Sequence, residues 1–130
     1  MHKTIFAFAL FSLSLLFVAV SSCGKDNAKV DYTANADCSA IVAADNTYTN
    51  SIKAILDNNC ATAGCHDAIT ASESMDFSDY AKSKNAFQNK SALCAIHHGK
   101  DCVAMPQGLP QLSNADINKI DCWVKSVYLE

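Results

Sequence analysis

The chain contains no arginine, and this absence limits what it is expected to bind. Its ten basic residues are all lysines, and they are outnumbered by 13 Asp and Glu, so the net charge is −3. A protein that binds nucleic acid is expected to carry a basic patch, in which arginine is the commonest reader of bases. We therefore expect no nucleic-acid partner.

Long apolar runs and regular alternation are also scarce. The only long apolar run extends from Ile5 to Val20, which is too short and too close to the start for a membrane-spanning helix. No stretch alternates convincingly as a strand would, and no internal repeat is visible. There is no nucleophile motif, phosphate-binding loop or carboxylate pair with a clear role, so an enzyme is not expected. What remains favours a small all-α domain.

The first residues have the pattern of a secretion signal, with Lys3 before the apolar run. The run ends Val20-Ser21-Ser22-Cys23, which resembles the lipobox of bacterial lipoproteins. This predicts a signal peptide over residues 1–22 and lipidation of Cys23, although an ordinary signal cleaved nearby would leave Cys23 a free thiol. The polar residues 23–48 are expected to form the lipid anchor and a flexible tether. We expect a lipid-anchored protein of the cell envelope, at the outer membrane facing the periplasm or at the cell surface.

Seven cysteines need an explanation in an exported chain, where disulfides persist. If Cys23 carries lipid, six remain. Six cysteines fit either three disulfides, or two disulfides and one pair that attaches haem, and the count does not choose between them. The six are Cys38, Cys60, Cys65, Cys94, Cys102 and Cys122.

Apolar spacing predicts several helices. We expect a first helix over about Asn50 to Asn58, a second that Ser78 caps, and a third over Ala86 to His97. The last helix is the clearest, because Ser113 can cap it and an apolar stripe follows at helical spacing. The members of that stripe are Ile117, Ile120, Trp123, Val124, Val127 and Tyr128. Cys122 lies opposite the stripe, so a disulfide to a segment outside the helix, such as Cys38, is the natural hypothesis.

The segment Cys60-Ala-Thr-Ala-Gly-Cys65-His66 contains two cysteines with a histidine directly after the second. Such an arrangement suits covalent haem attachment, because the thiols can add to the two vinyl groups while the histidine turns beneath the ring to bind iron. The usual spacing is C-x-x-C-H. Here four small or flexible residues separate the cysteines, and these can loop out.

The stretch from Tyr48 to Tyr128 resembles the small cytochrome c domains of exported bacterial lipoproteins. The matching pieces are Ile52-Lys-Ala-Ile55-Leu56, the haem motif, Met105-Pro106, and the stretch from Leu112-Ser113 to Trp123. The resemblance implies a cytochrome c-like all-α domain over residues 49–130, around one covalent haem c. Cys60 and Cys65 would form the thioethers, with His66 the proximal and Met105 the distal iron ligand. It also implies electron transfer between protein donors and acceptors, with Trp123 against the ring or in a helix crossing.

Several alternatives remain open. His97 or His98 could replace Met105 as the distal ligand, whereas Met75 is expected to pack beside Phe77. We expect Cys94 and Cys102 to form a disulfide that fixes the distal loop, which leaves Cys38 as the partner of Cys122. A competing hypothesis is a non-haem lipoprotein, structural or ligand-binding, with a third disulfide between Cys60 and Cys65. Another is a zinc site that uses the motif cysteines, their histidine and a later ligand.

Overall fold

The computed structural model of the protein describes residues 30–130. The predicted signal peptide of residues 1–22 and the predicted lipidation site Cys23 lie outside the described residues. Within the described part of the chain, no helix is both long and apolar enough to cross a membrane.

Residues 30–130 form four α-helices and contain no β-strand, which confirms the all-α prediction at the level of fold class. The helices are α1 (Lys53–Asn59), α2 (Tyr80–Asn89), α3 (Ala92–Ile96) and α4 (Asn114–Lys125). A π-helical turn, Tyr48–Ile52, leads into α1, and a 3₁₀ turn, Ser72–Ser74, interrupts the loop between α1 and α2.

The first helical segment begins earlier than the sequence predicted. Thr47 caps it by accepting a hydrogen bond from the backbone of Asn50, a residue that the sequence placed at the start of the helix. The earlier start places Tyr48 and Ile52 in the core, where both are buried. Burial of these two side chains accounts for the extra helical turn.

The predicted helix from Ala86 to His97 is wrong, because the chain forms two helices there. Lys90 adopts an extended conformation after α2, and a new helix starts at Ala92. Asp79 rather than Ser78 caps α2, since its carboxylate accepts from the backbone of Lys82. The break lets α2 bury Phe87 while α3 turns its own apolar face, which includes Ile96, toward the same core.

Helix α4 matches its predicted start. The Ser113 hydroxyl accepts from the backbone N–H of Asp116, which is the first bond of a capping box, and it donates to the Asp116 carboxylate, which in a full capping box would instead accept from the Ser113 backbone. The helix ends at Lys125, so the predicted continuation of the stripe is wrong at Val127, which is 73% exposed. Tyr128 is buried by another route, since the chain turns back and its N–H donates to the carbonyl of Trp123.

Trp123 is the centre of the core and is fully buried. Its ring meets Phe87 and Tyr128 edge to face, and its indole N–H donates to the Leu129 carbonyl at 2.7 Å. Around it lie Ile52, Leu56 and Ile120, also fully buried. Trp123 therefore packs α4, to which it belongs, against the π-helical turn that contains Tyr48.

Residues 30–47 form turns only, yet they are attached to α4. Cys38 forms a disulfide with Cys122, as predicted. Next to this bond, Asn118 accepts from the backbone of Asp37 and donates to its carbonyl, while Asn46 donates to the carbonyl of Lys119. This part of the expected tether thus differs from a free chain, because a covalent bond and side-chain amides join it to the domain.

Candidate functional site

A cavity of about 240 Å³ lies between the segment that follows α1 and the loop that precedes α4. Residues 60–77 form one side, here called the motif wall, and residues 92–112 form the other, here called the loop wall. Most of the lining is apolar, and Phe87 of α2 meets Phe77 at its floor, with 5.7 Å between ring centroids. An apolar cleft with a few polar groups is the usual form of a small-molecule or cofactor site.

All four residues that the resemblance assigned to a cofactor line this cavity. Cys60, Cys65 and His66 belong to the motif wall, and Met105 belongs to the loop wall. Because Met105 is distant from the other three in sequence, only the fold brings it to them.

The motif cysteines differ in exposure. Cys60 is buried directly after α1, Cys65 is exposed, and both are free thiols, whereas the other four described cysteines are paired. Burial raises the pKa of Cys60 to about 12, and the nearby Cys65 thiol contributes to the increase. Cys60 is therefore protonated at neutral pH and is not an activated nucleophile.

The ring of His66 is buried and held in one orientation. Its Nδ1 lies 3.1 Å from the carbonyl oxygen of Ser72 and 3.1 Å from that of Met75. Both neighbours can only accept, so Nδ1 carries a proton, and in the neutral imidazole Nε2 keeps its lone pair. Among residues 30–130, no hydrogen bond reaches Nε2. A backbone carbonyl on one ring nitrogen is the arrangement that fixes a ligating histidine.

Phe77 braces the same ring from the side. The two rings meet at 84° with 5.3 Å between centroids, and the Phe77 N–H donates to the His66 carbonyl at 2.9 Å. The imidazole is thereby packed against an aromatic edge as well as hydrogen-bonded.

Met105 is fixed through its backbone. Its N–H donates to the carbonyl of Ala95 at 3.0 Å, and Gln111 further along the loop donates to the carbonyl of Ile96 at 2.8 Å. The predicted disulfide between Cys94 and Cys102 is present and closes the loop that precedes Met105. Within the loop wall, these contacts attach the loop that follows α3 to that helix.

The two histidines considered as alternatives to Met105 do not line the cavity. His97 donates from Nε2 to the buried carboxylate of Asp121 at 2.9 Å, and its ring stacks on Tyr32. Burial raises the pKa of Asp121, while the hydrogen bond from His97 opposes that increase. His98 is directed elsewhere too, since its Nε2 donates to the Met105 carbonyl at 3.1 Å.

Met75 is buried beside Phe77 and also lines the cavity. Its carbonyl accepts from Nδ1 of His66, so its backbone lies behind the imidazole. Because the two nitrogens of an imidazole point away from each other, the Met75 carbonyl lies on the side of the ring away from the free Nε2.

Sequence reasoning missed two features of the motif wall. The Ser72 and Met75 carbonyls that orient His66 leave no trace in the sequence, because any residue supplies a carbonyl. Asp67 did leave a signal, since an Asp at the start of a polar loop favours a turn closed by its own side chain. Its carboxylate accepts from Ile69, Thr70 and Gly64, and these hydrogen bonds lower its pKa to about 2.

Within residues 30–130, no group of three or more His, Cys, Asp or Glu side chains is arranged to hold a metal ion. A structural zinc site takes four such ligands and a catalytic one three, so the described residues give no support to the zinc alternative. Haem iron needs fewer, because the porphyrin supplies four nitrogens and the protein only the axial ligands.

No protein-family model, curated protein or solved structure matches this chain.

Proposed function

We propose that this protein is a membrane-anchored c-type cytochrome that carries electrons through a single covalently bound haem. Cys60 and Cys65 form the thioethers, and His66 and Met105 are the axial ligands. The observation that carries the proposal is the meeting of these four residues at one apolar cavity, with His66 oriented so that only Nε2 is free.

The donor set fits this cofactor. Two free thiols occur in a chain whose other described cysteines are paired, and they lie next to an imidazole that is fixed as a ligating histidine would be. One thiol is buried and the other exposed, so a group bonded to both extends from the interior to the surface. The cavity of about 240 Å³ is smaller than the roughly 300–1,000 Å³ of pockets that enclose most of a ligand, so a haem held here would have to extend beyond it.

Each part of the site then has a task. When bound, the haem supplies a one-electron Fe(III)/Fe(II) couple. The carbonyls on Nδ1 of His66 would leave Nε2 available to bind the iron, and a thioether ligand such as Met105 would raise the reduction potential. The apolar walls exclude water, and axial positions filled by protein favour electron transfer over catalysis. A redox protein donates the electron and another accepts it.

The test is to express the full chain with and without a cytochrome c maturation system and to record oxidised and reduced visible spectra. We expect sharp reduced α and Soret bands that survive denaturation and acid–acetone extraction, only when maturation is available. The Cys60→Ser, Cys65→Ser double variant should lose the extraction-resistant bands. A colourless wild type with a disulfide between these cysteines would replace the proposal with the non-haem lipoprotein.

A further inference from the structure

The spacer between the motif cysteines is a defined turn. The Cys65 N–H donates to the carbonyl of Thr62 at 3.0 Å, and the His66 N–H donates to that of Cys60 at 3.1 Å. Gly64 lies in the left-handed region with φ of +82°, which favours glycine. The widened spacing is therefore folded back on itself, with residues 61–64 looped out.

One carboxylate connects this spacer to the loop after the motif. One oxygen of Asp67 accepts from the N–H groups of Ile69 at 2.8 Å and Thr70 at 3.1 Å. The other oxygen accepts from the Gly64 N–H at 3.0 Å. A single side chain thus joins the backbone before Cys65 to the backbone after His66.

The loop that Asp67 orders also orients the two motif residues between its anchor points. The Ser72 N–H donates to the Cys65 carbonyl at 3.0 Å, and the Ser72 carbonyl accepts from Nδ1 of His66. The exposed thiol and the free Nε2 are therefore set relative to each other by a network in which Asp67 is the one charged member.

We propose that Asp67 is the positioning residue of the widened attachment motif, and that it holds Cys65 where both thiols can bond one porphyrin. The inference rests on the proposed function. In each attachment, the sulfur bonds one vinyl carbon, the thiol hydrogen goes to the other, and nothing leaves. Double attachment needs both thiols to reach one porphyrin, so misplacement of the spacer yields haem bonded once.

Two substitutions separate the roles of the carboxylate. Asp67→Ala removes all three hydrogen bonds. Asp67→Asn can keep the bonds from Ile69 and Thr70 through its amide oxygen, but its NH₂ group then faces the Gly64 N–H, and two donors cannot bond. Asp79→Ala is the matched control, because Asp79 also accepts from a backbone N–H but does so at the start of α2.

The measurement is the ratio of singly to doubly attached chains in matured full-length protein, counted by mass spectrometry after alkylation of free thiols. We expect doubly attached wild type and a rise of about tenfold in this ratio for Asp67→Asn, which loses one charge-assisted hydrogen bond, with a larger rise for Asp67→Ala, which loses three. The control should match wild type. In the protein without haem, the Gly64 amide should exchange its hydrogen faster in both Asp67 variants.

The outcomes are distinct. Doubly attached haem at the wild-type ratio in Asp67→Asn, with unchanged Gly64 exchange, overturns the inference and leaves the proposed function standing. Wild type without covalent haem refutes the proposed function and, with it, the inference. If Asp67→Ala does not fold, the Asn variant decides.

Discussion

The motif wall and the loop wall of the cavity are ordered differently, one by side-chain hydrogen bonds and the other by a disulfide. In the motif wall, both cysteines are free and the order comes from hydrogen bonds, including two carbonyls on His66 and three N–H groups on Asp67. In the loop wall, both cysteines form a disulfide, and Met105 is held only through its backbone. The comparison teaches that the wall whose thiols are unpaired is ordered by hydrogen bonds instead of a disulfide.

The largest expected effect is on the motif wall. Among residues 30–130, His66 is the one histidine that lines the cavity, so for His66→Ala we expect complete loss of the low-spin spectrum, even where haem attaches. His98→Ala is the control, because His98 is exposed and does not line the cavity. A wild-type spectrum in the His66 variant would contradict its assignment as ligand.

The disulfide outside both walls should matter for stability alone. Cys38 and Cys122 are 84 residues apart, and removal of both sulfurs as Ala should lower the free energy of unfolding by about 4–5 kcal/mol on the chain-entropy account. Denaturant unfolding measures the change. The far-red band of Met–iron ligation should persist in the folded variant, and its loss would mean that this bond also shapes the site.

The loop-wall disulfide should affect both the stability of the fold and the bond between Met105 and iron. Cys94 and Cys102 close a loop with a sequence separation of only 8, so their replacement by Ala should cost about 2–3 kcal/mol. Because this loop leads to Met105, we also expect the Met–iron band to fade at a lower temperature than in wild type. The comparison is the Cys38→Ala, Cys122→Ala double variant under conditions that give both variants the same free energy of unfolding. If the Met–iron band fades at the same temperature in both, the Cys94–Cys102 disulfide has no local role.

The smallest effect is on the potential. Met105→Ala should keep covalent haem and lower the reduction potential by on the order of 100 mV, a fraction of the roughly 0.8 V that axial ligands span. Spectroelectrochemical titration measures it, with Met75→Leu as the control because Met75 is the other methionine that lines the cavity. An unchanged potential in the variant, together with a wild type that lacks the far-red band, would return His97 and His98 to consideration.

The sequence predicted features that local chemistry encodes. Ser113 and the stripe through Trp123 were sufficient for α4, and the cysteine pattern predicted both disulfides. The break after α2 was missed, since neither Lys90 nor Ser91 is a strong helix breaker and the interruption serves packing against the core.

The candidate site was predictable in its members but not in its geometry. Cys60 and His66 follow from a motif, whereas the carbonyls that orient the imidazole come from positions that no side chain marks. Likewise, nothing local distinguishes His97 from a ligand. Its bond to Asp121 depends on how α4 packs against the end of α3.

The most direct test of the account is the intact mass of the matured protein under denaturing conditions, for wild type and for the Cys60→Ser, Cys65→Ser double variant. The account predicts that wild type retains the mass of one haem per chain and has no motif thiol that can be alkylated. The double variant should carry no haem. A wild-type chain without haem, in cells that mature other c-type cytochromes, would contradict it.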